Sequence, residues 1–173
     1  MVKSITCRPC CFGQGSGMTI IMTIKFHLQW AKGDKVSQKA FKSKEAYGLL
    51  AEYCERVSKF VPCGISGEIS AGSRAKQKTN LWICDRTNGA RVFSSEEIAQ
   101  ALKKICDGGE RELQIVIGGP DGFSKEALDN FSPDLRWSFG SLTLPHELAA
   151  VVASEQIYRA WTILRGLPYH AGH

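Results

Sequence analysis

Apolar residues recur at helical spacing in four segments of the chain, and two of them lie in its first 110 residues. The first runs from Ala46 to Phe60 as one apolar stripe and is expected to stop before Pro62. The second begins at Ser94, which together with Glu97 has the spacing of a capping box. The Gly108-Gly109 pair is expected to end this second helix.

The other two helical segments lie in the last third of the chain. A short helix is predicted from about Ser124 to Phe131. Pro145 suits a first helical position, so a long final helix is predicted to begin there and to close at Gly166. The buried face of this last helix is predicted to comprise Leu148, Val151, Val152, Ile157 and Trp161.

Five segments between these helices have the composition of β-strands. They are rich in β-branched and aromatic residues or form short, continuous apolar runs of the buried kind. Because strands alternate with helices, the pattern predicts an α/β fold with a mainly parallel sheet flanked by helices. The predicted strands cover Met18–Trp30, Cys63–Ile69, Asn80–Asp85, Glu112–Gly119 and Arg136–Leu144.

Length and composition favour one globular domain over residues 18–173. The chain has 173 residues, of which 43% are hydrophobic and 23% charged, and no apolar run reaches the roughly 18 residues that span a membrane. Residues 1–17 lack periodicity and are expected to form a disordered N-terminal extension. The odd number of cysteines, 7, scattered through apolar segments, predicts a reduced, cytoplasmic protein without a metal site.

The net charge of +5 conceals an asymmetry between the two halves of the chain. Residues 1–78 contain 13 Lys and Arg against 5 Asp and Glu, whereas residues 79–173 contain 9 against 12. Such a basic half is typical of a protein with a polyanionic partner, although a solvated helix face gives the same pattern. The excess is densest at Lys32, Lys35, Lys39, Lys42 and Lys44, and again at Arg74, Lys76 and Lys78.

Three strand ends are the places where a ligand is expected. In open α/β sheets, ligands bind beyond the carboxyl ends of the strands. These ends are Cys84-Asp85, the glycine turn Ile117–Gly122, and Phe139–Pro145. Glycines after a strand let backbone approach a ligand, but tight turns with positive φ require glycine equally, so the residues alone leave both interpretations open.

Three sequence blocks nevertheless carry a specific resemblance. IVIGGPDGFS, WSFGSLTLPHELA and SEQIYRAWTILRGLPYH, in this order between about Asn80 and His170, resemble the RlmH family of SPOUT-class methyltransferases. The resemblance implies transfer of the methyl group of S-adenosylmethionine to N3 of a pseudouridine in large-subunit ribosomal RNA. It also implies a SPOUT-type α/β knot, in which the C-terminal segment forms a trefoil knot, and a homodimer that acts on ribosomal RNA or the assembled ribosome.

The resemblance also implies which residues form the site. Proton transfer and charge stabilisation would fall to His146, Arg159, Tyr169 and His170, with the tail donated to the partner subunit's site. Leu142 and Leu144 would give apolar walls, and much of the cofactor would be held by backbone. The cofactor contacts would be Cys84, Ile117, Gly118, Gly119, Gly122, Phe139, Gly140, Ser141, Leu142, Thr143, Leu144 and Pro145.

Several positions depart from the family pattern. Cys84 and Gly140 replace a usual Leu and Ser, Ala149-Ala150 lacks an arginine that is common on the last helix, and the tail ends without the usual basic residue. The stretch between Cys63 and Asn80 is too short for an additional helix. Two further hypotheses therefore stay open: a catalytically silent paralogue that binds RNA or ribosomes, and a SPOUT methyltransferase with another RNA target.

Overall fold

The computed structural model describes residues 22–70 and 78–169, which form one six-stranded sheet flanked by helices. Every pair of neighbouring strands is parallel, in the order β2-β1-β5-β3-β6-β4, so the predicted α/β fold with a mainly parallel sheet flanked by helices is confirmed. The strands are β1 (Thr23–Leu28), β2 (Cys63–Ser66), β3 (Thr79–Cys84), β4 (Arg91–Val92), β5 (Glu112–Ile117) and β6 (Leu135–Ser138). The helices are α1 (Lys44–Ser58), α2 (Ser95–Asp107), α3 (Lys125–Phe131) and α4 (His146–Leu164), with a 3₁₀ turn at Gln38–Ala40.

The two faces of the sheet are covered unequally. Alternate strand side chains such as Phe26, Trp82 and Ile115 pack against α1, α2 and α4 in the larger core cluster. The opposite face packs Ile83 and Val116 against the short helix α3 in a smaller cluster. The long helices therefore lie together on one side of the sheet, where α4 contacts both α1 and α2.

Local capping explains where the helices begin. The Ser43 hydroxyl accepts a hydrogen bond from the Ala46 N–H at 3.1 Å, and Ser124 caps α3 in the same way. Both hydrogen bonds of the predicted capping box between Ser94 and Glu97 are present. Gly166 has φ +62 just after α4, a conformation in which glycine costs least, so the predicted end of that helix is confirmed.

Two predicted strands are shorter in the structure. The strand predicted over Arg136–Leu144 ends at Ser138, because Gly140 turns the chain with φ +99 and its N–H bonds the Ser138 hydroxyl. The strand predicted over Cys63–Ile69 ends at Ser66, because the next two N–H groups leave the ladder for backbone carbonyls of residues 31 and 33. The two-residue strand β4 was not predicted, since both of its side chains are exposed.

The start and the buried face of α4 also differ from the prediction. Pro145 is the N-cap rather than the first helical residue. Leu148 is 46% exposed and Val151 and Val152 are half-buried, so only Ile157 and Trp161 of the predicted face are in the core. Small residues take the buried positions because α4 packs closely on two helices. The buried residues are Glu147, Ala150, Ala153, Ser154, Ile157, Ala160, Trp161 and Thr162.

Some predictions fall outside the described residues: the extension of residues 1–17, the first part of the first strand, Arg74, Lys76 and His170. Within residues 22–70 and 78–169, no helix is long and apolar enough to cross a membrane.

Candidate functional site

The carboxyl ends of β5, β3 and β6 lie side by side. Ile117 is aligned with Cys84, and Cys84 with Trp137, in neighbouring parallel strands. Three segments therefore leave the sheet at the same edge: 118–123, 85–90 and 139–145. This edge brings together all the residues predicted to contact the cofactor, although they are spread over 62 positions of the sequence.

The glycine turn after β5 has two glycines, Gly119 and Gly122, with open space where a Cβ would lie, and one, Gly118, that is crowded. Gly122 has φ +69 and donates its N–H to the Gly119 carbonyl at 3.0 Å, which closes the turn. A Cβ on Gly118 would lie 3.0 Å from the Phe123 ring and 3.2 Å from the Gly122 backbone, so a side chain there would force these neighbours to shift. Among the described residues, a Cβ on Gly119 would meet only Trp30, at 3.9 Å. Gly119, which unlike Gly122 has no positive φ, is thus a position where a ligand can approach the backbone without displacing described protein atoms.

The segment after β3 is organised by the buried carboxylate of Asp85, which the sequence indicated only as part of a strand end. Asp85, whose side chain is 3% exposed, accepts from the Arg86 N–H at 2.7 Å and from the Thr87 N–H at 3.0 Å. Arg136 also donates to Asp85. Burial alone would raise the pKa of Asp85, but these hydrogen bonds outweigh it and lower the pKa below its usual value. Arg86 then contacts the Thr143 hydroxyl, which joins this segment to the one after β6.

The segment from Phe139 to Pro145 presents mostly backbone and exposed side chains at this edge. Leu142 is 73% exposed, whereas Leu144 is half-buried. Phe139 packs edge-on against Trp137 with ring centroids 4.9 Å apart, which anchors the start of the segment. Residues 141–143 of the segment are exposed, so a ligand could approach the backbone there, as expected for backbone-mediated recognition.

Cys84 has a different environment from these exposed residues. Its side chain belongs to the main core cluster. Burial, with a smaller contribution from the charge of Asp85, raises the pKa of the Cys84 thiol. The thiol is therefore neither reactive nor available, and a ligand at this edge meets the backbone of Cys84 rather than its sulfur.

A fourth segment, which follows β1, lies at the same edge and contacts His146 through Trp30. The His146 ring lies 4.5 Å from the Trp30 ring, and Trp30 packs edge-on against Phe41 at 5.7 Å. The buried Glu147 accepts from the Lys42 N–H at 2.6 Å and the Ser43 N–H at 3.0 Å. This carboxylate thereby ties the start of α1 to the start of α4. The roles of Trp30 and Glu147 were not predicted, since they depend on contacts between segments that are distant in the sequence.

The other predicted catalytic residues meet near the far end of α4. Arg159 donates to the Glu155 carboxylate through Nε at 3.0 Å and Nη2 at 2.8 Å. Tyr169 donates its hydroxyl to the same Glu155 oxygen at 2.9 Å, and the Arg159 guanidinium lies 4.9 Å from the Tyr169 ring centroid. Burial, then hydrogen bonds with Tyr53 and Glu155, raise the pKa of Tyr169. The phenol therefore keeps its proton and acts as a hydrogen-bond donor.

A single chain does not bring these two groups of residues together. His146 opens α4 and Arg159 lies 13 positions later, which corresponds to about 20 Å along the helix axis. His146 is at the edge where the glycine turn lies, whereas Arg159 and Tyr169 are near the opposite end of the sheet. Among the described residues, no group of three or more His, Cys, Asp or Glu side chains could hold a metal ion.

Comparison with known proteins gives one consistent result. Residues 36–170 match the family model described as "Predicted SPOUT methyltransferase". Ribosomal RNA large subunit methyltransferase H of Syntrophobacter fumaroxidans is 32% identical over 143 residues, 83% of this chain and 78% of that protein. The protein of the same name from Koribacter versatilis is 39% identical over 131 residues, 72% of this chain and 88% of that protein.

A solved structure of a methyltransferase from Legionella pneumophila in complex with bound SAM aligns with 79% of this chain and 66% of its own. The TM-score is 0.41 and the sequence identity 17%.

Proposed function

We propose that this chain, which belongs to the SPOUT methyltransferase family, methylates N3 of a pseudouridine in large-subunit ribosomal RNA. Within that family it resembles the ribosomal RNA large subunit methyltransferases H along most of their length. The methyl donor would be S-adenosylmethionine. The observation that carries the proposal is the open side of Gly119 at an edge where three segments from neighbouring strands meet. With ribosomal RNA as substrate, the protein would act in the cytoplasm.

The residues at this edge fit a nucleoside-type cofactor. The backbone of Gly119 is approachable, residues 141–143 of the segment from Phe139 to Pro145 are exposed, and Leu142 and Leu144 offer apolar contact. When bound, the cofactor supplies an electrophilic methyl group on a sulfonium centre. The work of the chain is to orient donor and acceptor in line and to keep water from the reacting atoms.

The order of the strands supports a knotted path. β3 and β4 are consecutive in the chain, yet β6 lies between them. The chain comes to β6 from α3 on one face of the sheet and leaves it for α4 on the other. It therefore passes through the loop that runs from β3 through β4 and α2 to β5. We propose that this passage is the C-terminal trefoil knot of the SPOUT fold, a rare exception to unthreaded chain paths.

A homodimer would complete the site. Leu148, Val152, Glu155 and Arg159 follow one another at helical spacing, and this stripe of α4 is exposed or half-covered in the single chain. If two copies pair this stripe about a two-fold axis with the helices antiparallel, Arg159 of one chain comes beside His146 of its partner. The separation of about 20 Å within one chain is then bridged between chains.

In this composite site the proposed roles divide by chemistry. The N3 imide must lose its proton, and His146 is a described side chain at the cofactor edge that could accept one. Arg159 would hold a phosphate or the developing negative charge on the base. Tyr169 keeps its proton and would donate a hydrogen bond. His170, outside the described residues, stays a candidate for relaying the proton.

Two measurements test the proposal. Calorimetry with S-adenosylmethionine should show binding that Gly119→Val abolishes while circular dichroism shows an intact fold, because the open side of Gly119 accommodates a side chain in the absence of ligand. Transfer of labelled methyl groups to ribosomes that lack this modification should then depend on the same residue. Cofactor binding without transfer to any ribosomal RNA would instead identify a silent, RNA-binding member of the family. Absence of cofactor binding in the wild-type chain contradicts the proposal.

A further inference from the structure

We infer that residues 32–44, here called the lysine segment, form the surface on which the RNA backbone docks beside the target nucleotide. This inference rests on the proposed function and assigns it a substrate-binding surface. The segment carries five lysines, all exposed: Lys32, Lys35, Lys39, Lys42 and Lys44.

The charge of the lysine segment is not neutralised by the protein. Asp34 is the one acidic residue between Lys32 and Lys44. Within the described residues, none of the five lysines takes part in an ion pair, whereas Lys25, Lys103 and Arg159 all do. Unpaired ammonium groups attract a polyanion and release its condensed counterions on contact. The solvated helix face considered from the sequence does not fit, because four of the five lysines precede α1.

The lysine segment is held in place at both ends and in the middle. The Gly33 carbonyl accepts from the Gly67 N–H at 2.8 Å, and the Val36 carbonyl accepts from the Tyr47 hydroxyl at 3.3 Å. Near its end, the backbone at Lys42 bonds the buried Glu147. The side chains that point inward are apolar or aromatic, so the lysines occupy the free side. A charged surface that is already ordered loses little conformational entropy on binding.

The lysine segment also begins at the candidate site. Leu28 at the end of β1 is aligned with Ile117 at the end of β5, and the Gln29 N–H bonds the Ile117 carbonyl at 3.1 Å. Trp30 follows, between the open side of Gly119 and the His146 ring. The chain then leads directly to Lys32. A nucleic-acid strand that lies on the lysines is therefore led to the edge where the methyl group would be transferred.

The test compares two triple charge reversals in the full-length protein. One replaces Lys35, Lys39 and Lys42 by Glu. The control replaces Lys103, Lys104 and Arg111 by Glu, which changes the net charge equally but lies near the C-terminal end of α2 and just before β5, at the other end of β5 from the glycine turn. The probes are bacterial ribosomes that lack the pseudouridine N3-methyl group, S-adenosylmethionine, and phosphatidylglycerol vesicles.

The lysine-segment variant should bind S-adenosylmethionine as the wild type does, and its KM for ribosomes should rise by about tenfold or more. The slope of log affinity against log salt concentration should become less negative by about two, because each of the three lost phosphate contacts contributes roughly 0.7 to it. The control should keep the wild-type slope. An unchanged KM and slope in the lysine-segment variant refute the docking surface while leaving the proposed function intact.

Two other outcomes also overturn the inference. If the lysine-segment variant loses binding to the vesicles and not to ribosomes, the surface serves a membrane. If the wild-type protein neither binds nor methylates ribosomes, the proposed function fails first and the docking surface fails with it.

Discussion

Subunit complementation would show directly whether the site is shared between two chains. The two perturbations are Gly119→Val, which fills the cofactor edge, and truncation after Leu167, which removes Tyr169 and the residues beyond it. Each homodimer should be folded. The valine enters space where a Cβ has one neighbour at 3.9 Å, and the truncation preserves the 2.9 Å hydrogen bond from the Leu167 N–H to the Thr162 carbonyl that ends α4.

The expected magnitude follows from the geometry. Because His146 and the Arg159–Tyr169 group are about 20 Å apart in one chain, a site with both groups needs one from each protomer. Each variant alone should therefore be inactive. After random exchange of equal amounts, about half of the dimers are heterodimers, and each has one intact edge facing one intact tail. Methyl transfer should recover to about a quarter of the wild-type rate per chain.

The assay measures labelled methyl groups incorporated into unmodified ribosomes before and after subunits are exchanged by mild denaturant and dilution. A mixture made without exchange is the control and should stay inactive. If exchange is shown by mass spectrometry of tagged heterodimers and activity still does not return, the site is built within one chain and the proposed role of the tail is wrong.

Three further predictions concern single side chains. Glu155→Gln should lower the pKa of Tyr169, which ultraviolet titration at alkaline pH would measure. It should also reduce methyl transfer without changing cofactor affinity. An unchanged titration would show that the Glu155 carboxylate does not raise the pKa of the Tyr169 phenol. Asp85→Asn should destabilise the fold by about 1–3 kcal/mol at pH 7 in urea unfolding. Because the pKa of Asp85 is lowered in the folded chain, this difference should shrink as pH falls below about 4, and a pH-independent difference would contradict the account. Gly118→Ala should cost about 1–3 kcal/mol by overpacking, whereas Gly119→Ala should leave stability within about 0.5 kcal/mol; equal effects would refute the distinction between the two glycines.

Local signals in the sequence were sufficient to place the four helices and to indicate the edge of the sheet at which the candidate site lies. The capping box at Ser94 and the glycine after α4 act within a few residues, so they are readable without the fold. Strand ends point to the site because parallel strands share one carboxyl edge. The strand predicted through Leu144 failed because an apolar run does not reveal a left-handed residue such as Gly140 within it.

The features that sequence reasoning missed depend on contacts between distant segments. Glu147 bonds the backbone of Lys42 and Ser43 more than 100 positions earlier, and Asp85 is paired with Arg136. Neither contact leaves a periodic pattern. The partly exposed stripe of α4 has a related cause, since apolar spacing shows that a helix has an apolar side but not which neighbour covers it.

The most direct test of the central claim is methyl transfer itself. Wild-type protein, S-adenosylmethionine carrying a labelled methyl group, and ribosomes that lack the modification should give label in large-subunit ribosomal RNA. Nuclease digestion and mass spectrometry should then place the label on N3 of a single pseudouridine. Label on another base or in another RNA would show a different target, and no label with a protein that binds both cofactor and ribosomes would contradict the assignment as an active methyltransferase.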